Sequence, residues 1–135
     1  MNQDKVPAPG SAVPTAGNLR AETLALEVSA QALAITLDIA EHLAGFAGHF
    51  PGLPILPGVI QLSWAVGYAR EFLGQDAAVS QIDRLKFSCP IQPPRQVKLS
   101  IDLDRAKKHA NFRFYCDRDN ADQPLIFSQG RLVYE

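Results

Sequence analysis

A chain of 135 residues, 47% hydrophobic and 20% charged, fits one hydrophobic core of ordinary globular composition. Its net charge of −1 excludes a whole-surface attraction for nucleic acid or an anionic membrane, so any anionic partner has to be met by a local patch. Prolines and glycines interrupt the most apolar stretch, Phe46 to Ile60, well short of the ~18 continuous apolar residues of a membrane span, and a soluble, cytoplasmic protein is expected.

Residues 1–20 hold Pro7, Pro9, Gly10, Pro14 and Gly17 without a sustained apolar run, which predicts a flexible tail ahead of a single domain over 21–135. Leu24, Leu26 and Val28 then alternate with Thr23, Ala25 and Glu27, and Leu33, Ile35, Leu37 and Ile39 repeat that period of two, predicting two half-buried strands. Between Pro57 and Gly74 the spacing changes. Val59, Leu62, Val66, Ala69 and Leu73 recur at steps of three and four, predicting a helix that starts at Pro57, ends at Gly74 and buries this stripe. Its other side carries Ile60, Trp64, Ala65 and Phe72, so the whole helix is expected in the interior.

Period two returns in Leu85, Phe87 and Cys89, in Val97 to Leu103, in Phe112, Phe114 and Cys116, and finally from about Leu125 to Tyr134. One helix cannot cross over several parallel strands. The expected class is therefore α+β, a mainly antiparallel sheet curled around one central buried helix. Cys89 and Cys116 have no metal-ligand or redox spacing and read as reduced, half-buried side chains. No phosphate loop, metal cluster or nucleophile elbow is present, so no metal or other cofactor is expected.

Chemistry concentrates in "GHFPGLPILPGV", residues 48–59. Pro51, Pro54 and Pro57 each fix φ and extend the residue before them, giving a nearly pre-set path from His49 into the helix. At the positive end of that helix the N–H groups of Gly58, Val59 and Ile60 are expected to be free to receive a carbonyl or oxyanion, and Gly58 has no side chain in the way. Histidine moves protons near neutral pH, so His49 beside such a donor points to proton abstraction next to a polarised carbonyl.

This stretch is similar to the "GHFPGxPxMPGV" signature of FabA/FabZ-type 3-hydroxyacyl-acyl-carrier-protein dehydratases, and "IDRLKFSCPIQPPRQVKLSIDL" looks like their third and fourth strands. The form from Leu56 to Trp64 most resembles the FabZ-like dehydratases of aryl-polyene and related pigment clusters. The resemblance implies a hot-dog fold over residues 21–135, dehydration of a 3-hydroxyacyl thioester to the trans-2-enoyl thioester, and an acyl carrier protein with a phosphopantetheine arm as partner. It also implies a homodimer, or a heterodimer with a hot-dog paralogue. His49 takes the role of base and Gly58 that of carbonyl donor, with Val59 and Phe50 beside the substrate. The acidic position of the family falls on Ser63, and a supporting glutamine falls on Gly67. A hydroxyl cannot act as a carboxylic acid, but it can hold water or the leaving hydroxyl, so Ser63 is read as a catalytic position of altered chemistry.

That substitution leaves alternatives open: a weakened subunit that binds acyl chains or needs an active paralogue, or a thioesterase of the same fold. Phe46, Phe50, Trp64 and Tyr68 read as core or tunnel wall, and His42 and His109 as surface, the latter in a turn. The basic run from Arg84 to Lys108 reads as a solvated sheet face, or as a docking patch for the acidic carrier protein.

Overall fold

The computed structural model describes residues 21–40, 55–118 and 122–135. Six strands, β1 (Glu22–Val28), β2 (Ala32–Ile39), β3 (Val79–Phe87), β4 (Arg95–Asp104), β5 (His109–Cys116) and β6 (Leu125–Tyr134), flank one described helix, α1 (Gly58–Leu73). They form one sheet in the order β1-β2-β4-β5-β6-β3, and every neighbouring pair is antiparallel. This is the expected α+β architecture. His109 opens β5 instead of lying in a turn.

Alternation decides which side of the sheet faces α1. Leu33, Ile35, Leu37 and Ile39 of β2 and Val97, Leu99, Ile101 and Leu103 of β4 are all buried, and they form one core with Trp64, Ala65, Tyr68 and Ala69 of α1. Antiparallel pairing puts Leu33 opposite Ile101, Ile35 opposite Leu99 and Leu37 opposite Val97, so a single register serves both strands. A one-residue slip would turn every one of these side chains to water.

The stripe of α1 that meets the sheet differs from the one its spacing suggests. Gln61, Trp64, Ala65, Gly67, Tyr68, Ala69 and Leu73 are buried, while Leu62 and Val66 are partly covered and Val59 is 69% exposed. Both stripes are apolar enough to be chosen, and the aromatic one wins because Trp64 and Tyr68 remove the most apolar area from water. The half-burial expected of the strands fails at the edges as well. Leu24, Leu26 and Val28 on β1 and Leu85 and Phe87 on β3 are exposed, because these are the two edge strands of the sheet and α1 packs against β2 and β4.

Both ends of α1 are held from afar. At the C-terminus Gly74 adopts φ 68, the left-handed cap that glycine allows, and its N–H donates to Ala69 O. Arg105, in the β4–β5 turn, donates to Leu73 O at 2.8 Å and to Ala30 O at 2.9 Å, tying three chain reversals together.

Candidate functional site

Pro57 is the N-cap of α1, with φ −60 and ψ 146, and helical geometry begins one residue later than expected, at Gly58. A proline cap supplies no side-chain acceptor, and the first turn holds no acidic residue. The N–H of Ile60, expected to be free, instead returns with that of Gln61 to Pro57 O, at 3.1 and 3.2 Å, because the first turn closes on the cap carbonyl; those of Gly58 and Val59 have no acceptor among the described residues. Among the described residues, two donors therefore stand without an acceptor at the positive end of the helix.

The approach to that end is anchored twice. Leu56 N donates to Ile91 O at 2.9 Å, and Leu56 O accepts from Nε2 of Gln61 at 3.1 Å. Oε1 of Gln61 in turn accepts from the Ser128 hydroxyl at 2.6 Å. Gln61 is 3% exposed and Ser128 fully buried, so the pair satisfies two polar side chains inside the core and clamps the helix start onto β6. These two residues escaped the sequence reading. A lone amide in the apolar first turn was the available signal for Gln61; Ser128 in its strand carried none.

A cavity of about 430 Å³ opens at this helix start, bounded by Leu56, Gly58, Gln61, Phe87, Cys89 and Pro90 among others. Its volume lies in the range of small-molecule sites, and its walls are mostly apolar. The Phe87 ring lies directly over Gly58: a Cβ added there would be 2.7 Å from Cζ of Phe87. Glycine at position 58 thus allows this close approach, since any side chain there would have to displace the ring.

The structure brings Gly58 to this cavity and leaves two other predicted residues off it. Ser63 is half-buried, and Val59, one helical turn before it, points into solvent; neither lines the cavity of the single chain. His49 and Phe50 lie outside the described residues, as do Phe46, His42 and the expected tail over 1–20. Cys89 and Cys116 are free and half-buried. No group of metal-ligating side chains occurs among the described residues, and none of their helices is long and apolar enough to cross a membrane.

A curled antiparallel sheet with its helix in the concave face, and the helix start open at an apolar cavity, defines the hot-dog class. The family model described as ApeI dehydratase matches residues 25–130, and the chain belongs to this ApeI-like family. Among solved structures, the dehydratase heterocomplex ApeI:P from Xenorhabdus doucetiae superposes with a TM-score of 0.74 at 32% identity, covering 84% of this chain and 96% of that one. An uncharacterized protein from Erwinia carotovora subsp. atroseptica gives a TM-score of 0.70 at 27% identity, covering 84% and 92%. The 3-hydroxyacyl-[acyl-carrier-protein] dehydratase FabZ of Pelotomaculum thermopropionicum is 35% identical over 69 residues, 46% of this chain and 49% of that protein. The chain spans about half the length of the curated relatives it matches. The FabA/FabZ-type resemblance and the hot-dog fold thus hold for this chain.

Proposed function

We propose that the chain is a dehydratase subunit that removes water from a 3-hydroxyacyl thioester carried by an acyl carrier protein. One observation of the structure supports this reading most directly: the Gly58 donor, unneutralised and free of a side chain, facing an apolar cavity at the start of α1. Family membership supplies the reaction class.

In this reading the thioester carbonyl accepts from Gly58 N–H, which stabilises the negative charge that develops when the C2 proton leaves. His49 takes that proton, the C3–oxygen bond breaks as the C2–C3 double bond forms, and the His49 imidazolium passes the proton on to the departing hydroxyl, which leaves as water and restores the neutral base. Ser63 positions the departing hydroxyl or a water beside it. Val59 and Ser63 share an open face of α1, which suits a site completed by a second hot-dog chain facing that side. Apolar walls fit an acyl chain. The form of Leu56 to Trp64, together with the ApeI-like family, supports an aryl-polyene setting.

The test is mass spectrometry of the purified protein incubated with 3-hydroxyacyl-acyl carrier protein. Loss of water from the carrier-bound species is the expected result. Release of free acid would instead establish a thioesterase.

A second reading has its own support. Ser63 replaces the usual acid, and the similar Xenorhabdus doucetiae structure is a heterocomplex. A subunit that gains activity only when a paralogous chain is added would show dehydration in the mixture and none alone.

A further inference from the structure

The face of the sheet turned away from α1 carries a second cavity, of about 500 Å³, whose lining includes Arg84, Ser100, Asp102, Asn111, Arg113 and Gln129. Register assembles it. Ser100, Arg113 and Gln129 stand on one rung across β4, β5 and β6, and Asp102 faces Asn111 on the next. These are the alternate positions to the buried Leu99, Ile101, Phe112 and Phe114, so their side chains project from the opposite face.

The cations of this face divide into two groups. Arg131 is held by Asp83 through two bonds of 2.9 and 3.0 Å, and Lys98 is paired with Asp117. The guanidinium groups of Arg84 and Arg113, in contrast, make no hydrogen bond or ion pair with any described residue, although both residues line the cavity; the pKa of the Asp83 carboxyl is lowered first by its Arg131 hydrogen bond, and Arg84 adds to this only through its charge. Asp102 is likewise unpaired. It lies diagonally from Arg113, about 7 to 8 Å away between backbones and within reach of a long side chain, yet the two do not bond.

Arg84 also adopts φ 56, a left-handed conformation unfavourable for a residue with a Cβ, where β3 slips register between Asp83 and Lys86. A bulge of this kind re-aims a side chain, and strained residues persist where the surrounding structure holds them. Here the result is a second guanidinium at a cavity that Arg113 already lines.

We propose that this cavity binds a phosphate monoester of a small hydroxyl-bearing molecule, its phosphate between Arg84 and Arg113 and a hydroxyl donating to Asp102. Two planar guanidinium forks match the several oxygens of a tetrahedral dianion, whereas one carboxylate is already saturated by one fork. The volume suits a small molecule, and the carboxylate of Asp102 opposes a broad polyanionic surface. The site faces away from Gly58 and stands independently of the dehydratase reading.

The experiment is a titration of the 15N-labelled full chain with inorganic phosphate and with ribose 5-phosphate, followed through backbone amide shifts. Saturable shifts at Ser100, Asn111 and Gln129 are expected. Arg113→Gln should weaken ribose 5-phosphate by about tenfold or more, the loss of one charge-assisted contact. Arg84→Gly removes the other guanidinium while relieving its backbone strain, so it should lose affinity without losing thermal stability. Asp102→Asn separates the two ligands: it should weaken ribose 5-phosphate and leave or improve inorganic phosphate. Shifts that do not saturate, that spread equally to Lys107 and Lys108, or that survive both arginine variants would overturn the proposal in favour of non-specific attraction.

Discussion

The hydroxyl of Ser128 on β6 and the side-chain carbonyl of Gln61 on α1, 67 positions apart in sequence, are joined by a 2.6 Å hydrogen bond inside the core. Through Nε2 of Gln61 the same link reaches Leu56 O, so the strand, the helix and the segment leading into it are tied together. A buried polar pair of this kind stabilises little on balance but is costly to break on one side. Ser128→Ala is therefore expected to destabilise the protein by about 1 to 3 kcal/mol, because Oε1 of Gln61 is left without its donor. Chemical denaturation checks this. The double variant Ser128→Ala with Gln61→Met should cost less than the sum of the two single changes, which a double-mutant cycle reads directly.

Gly58→Ala places a methyl group against the Phe87 ring. Phe87 is 49% exposed on an edge strand, so the ring can swing outward, and the stability cost should stay below about 1.5 kcal/mol. Function should suffer far more than stability. In the proposed mechanism a methyl group and a displaced ring beside the donor crowd the thioester carbonyl, and turnover of a 3-hydroxyacyl thioester should fall by about 10²-fold or more, as for a lost oxyanion donor. Gly58→Ala with Phe87→Ala should recover stability and leave turnover low; equal recovery of both would show that the ring, and not the donor, governs the site.

Tyr134 gives the protein an alkaline limit. Its side chain is buried, its hydroxyl has no hydrogen-bond partner among the described residues, and burial pushes its pKa up to about 12, slightly offset by the charge of Arg70. The folded state thus holds the phenol neutral where the unfolded chain, titrating near 10, has ionised. Stability from this group is fully present below about pH 10 and is lost as pH rises toward 12, on the order of 2 kcal/mol in all. Tyr134→Phe should flatten that decline in a series of urea melts. A decline of the same size in the variant would assign it to other groups.

Ser63 decides between two forms of the proposed chemistry. If its hydroxyl positions water or the leaving hydroxyl, Ser63→Ala slows dehydration, and a carboxylate at the same place does not restore the wild-type rate. If the site merely lost its acid, Ser63→Glu raises the rate, by as much as the ~10²- to 10⁴-fold that general acid catalysis supplies. We expect the first pattern. His49→Ala should abolish turnover in either case, and steady-state kinetics with thermal melts of all three variants separates loss of chemistry from loss of fold.

Most of the fold is legible in the local sequence. Period-two runs such as Val97 to Leu103 become strands because alternate side chains leave opposite faces of extended chain, and Gly74 ends α1 because it accepts positive φ. The open donor at Gly58 is equally local, being a proline cap followed by a residue without a side chain. Each of these follows from backbone geometry within a few residues.

What the chain alone determined about this protein is its set of elements, the ends of its helix and the donor at the helix start, all consequences of short-range sterics. Only the tertiary structure decided which stripe of α1 is buried, that Ser128 meets Gln61, that the Phe87 ring covers Gly58, and that the guanidinium groups of Arg84 and Arg113 find no partner among the described residues while Arg131 and Lys98 do. These depend on strand order and register: β3, the strand that follows α1, pairs with β6, the last strand in sequence, at the edge of the sheet. A periodic pattern reports which residues share a face; it carries no information on what that face will meet, because the partner is chosen by contacts far away along the chain.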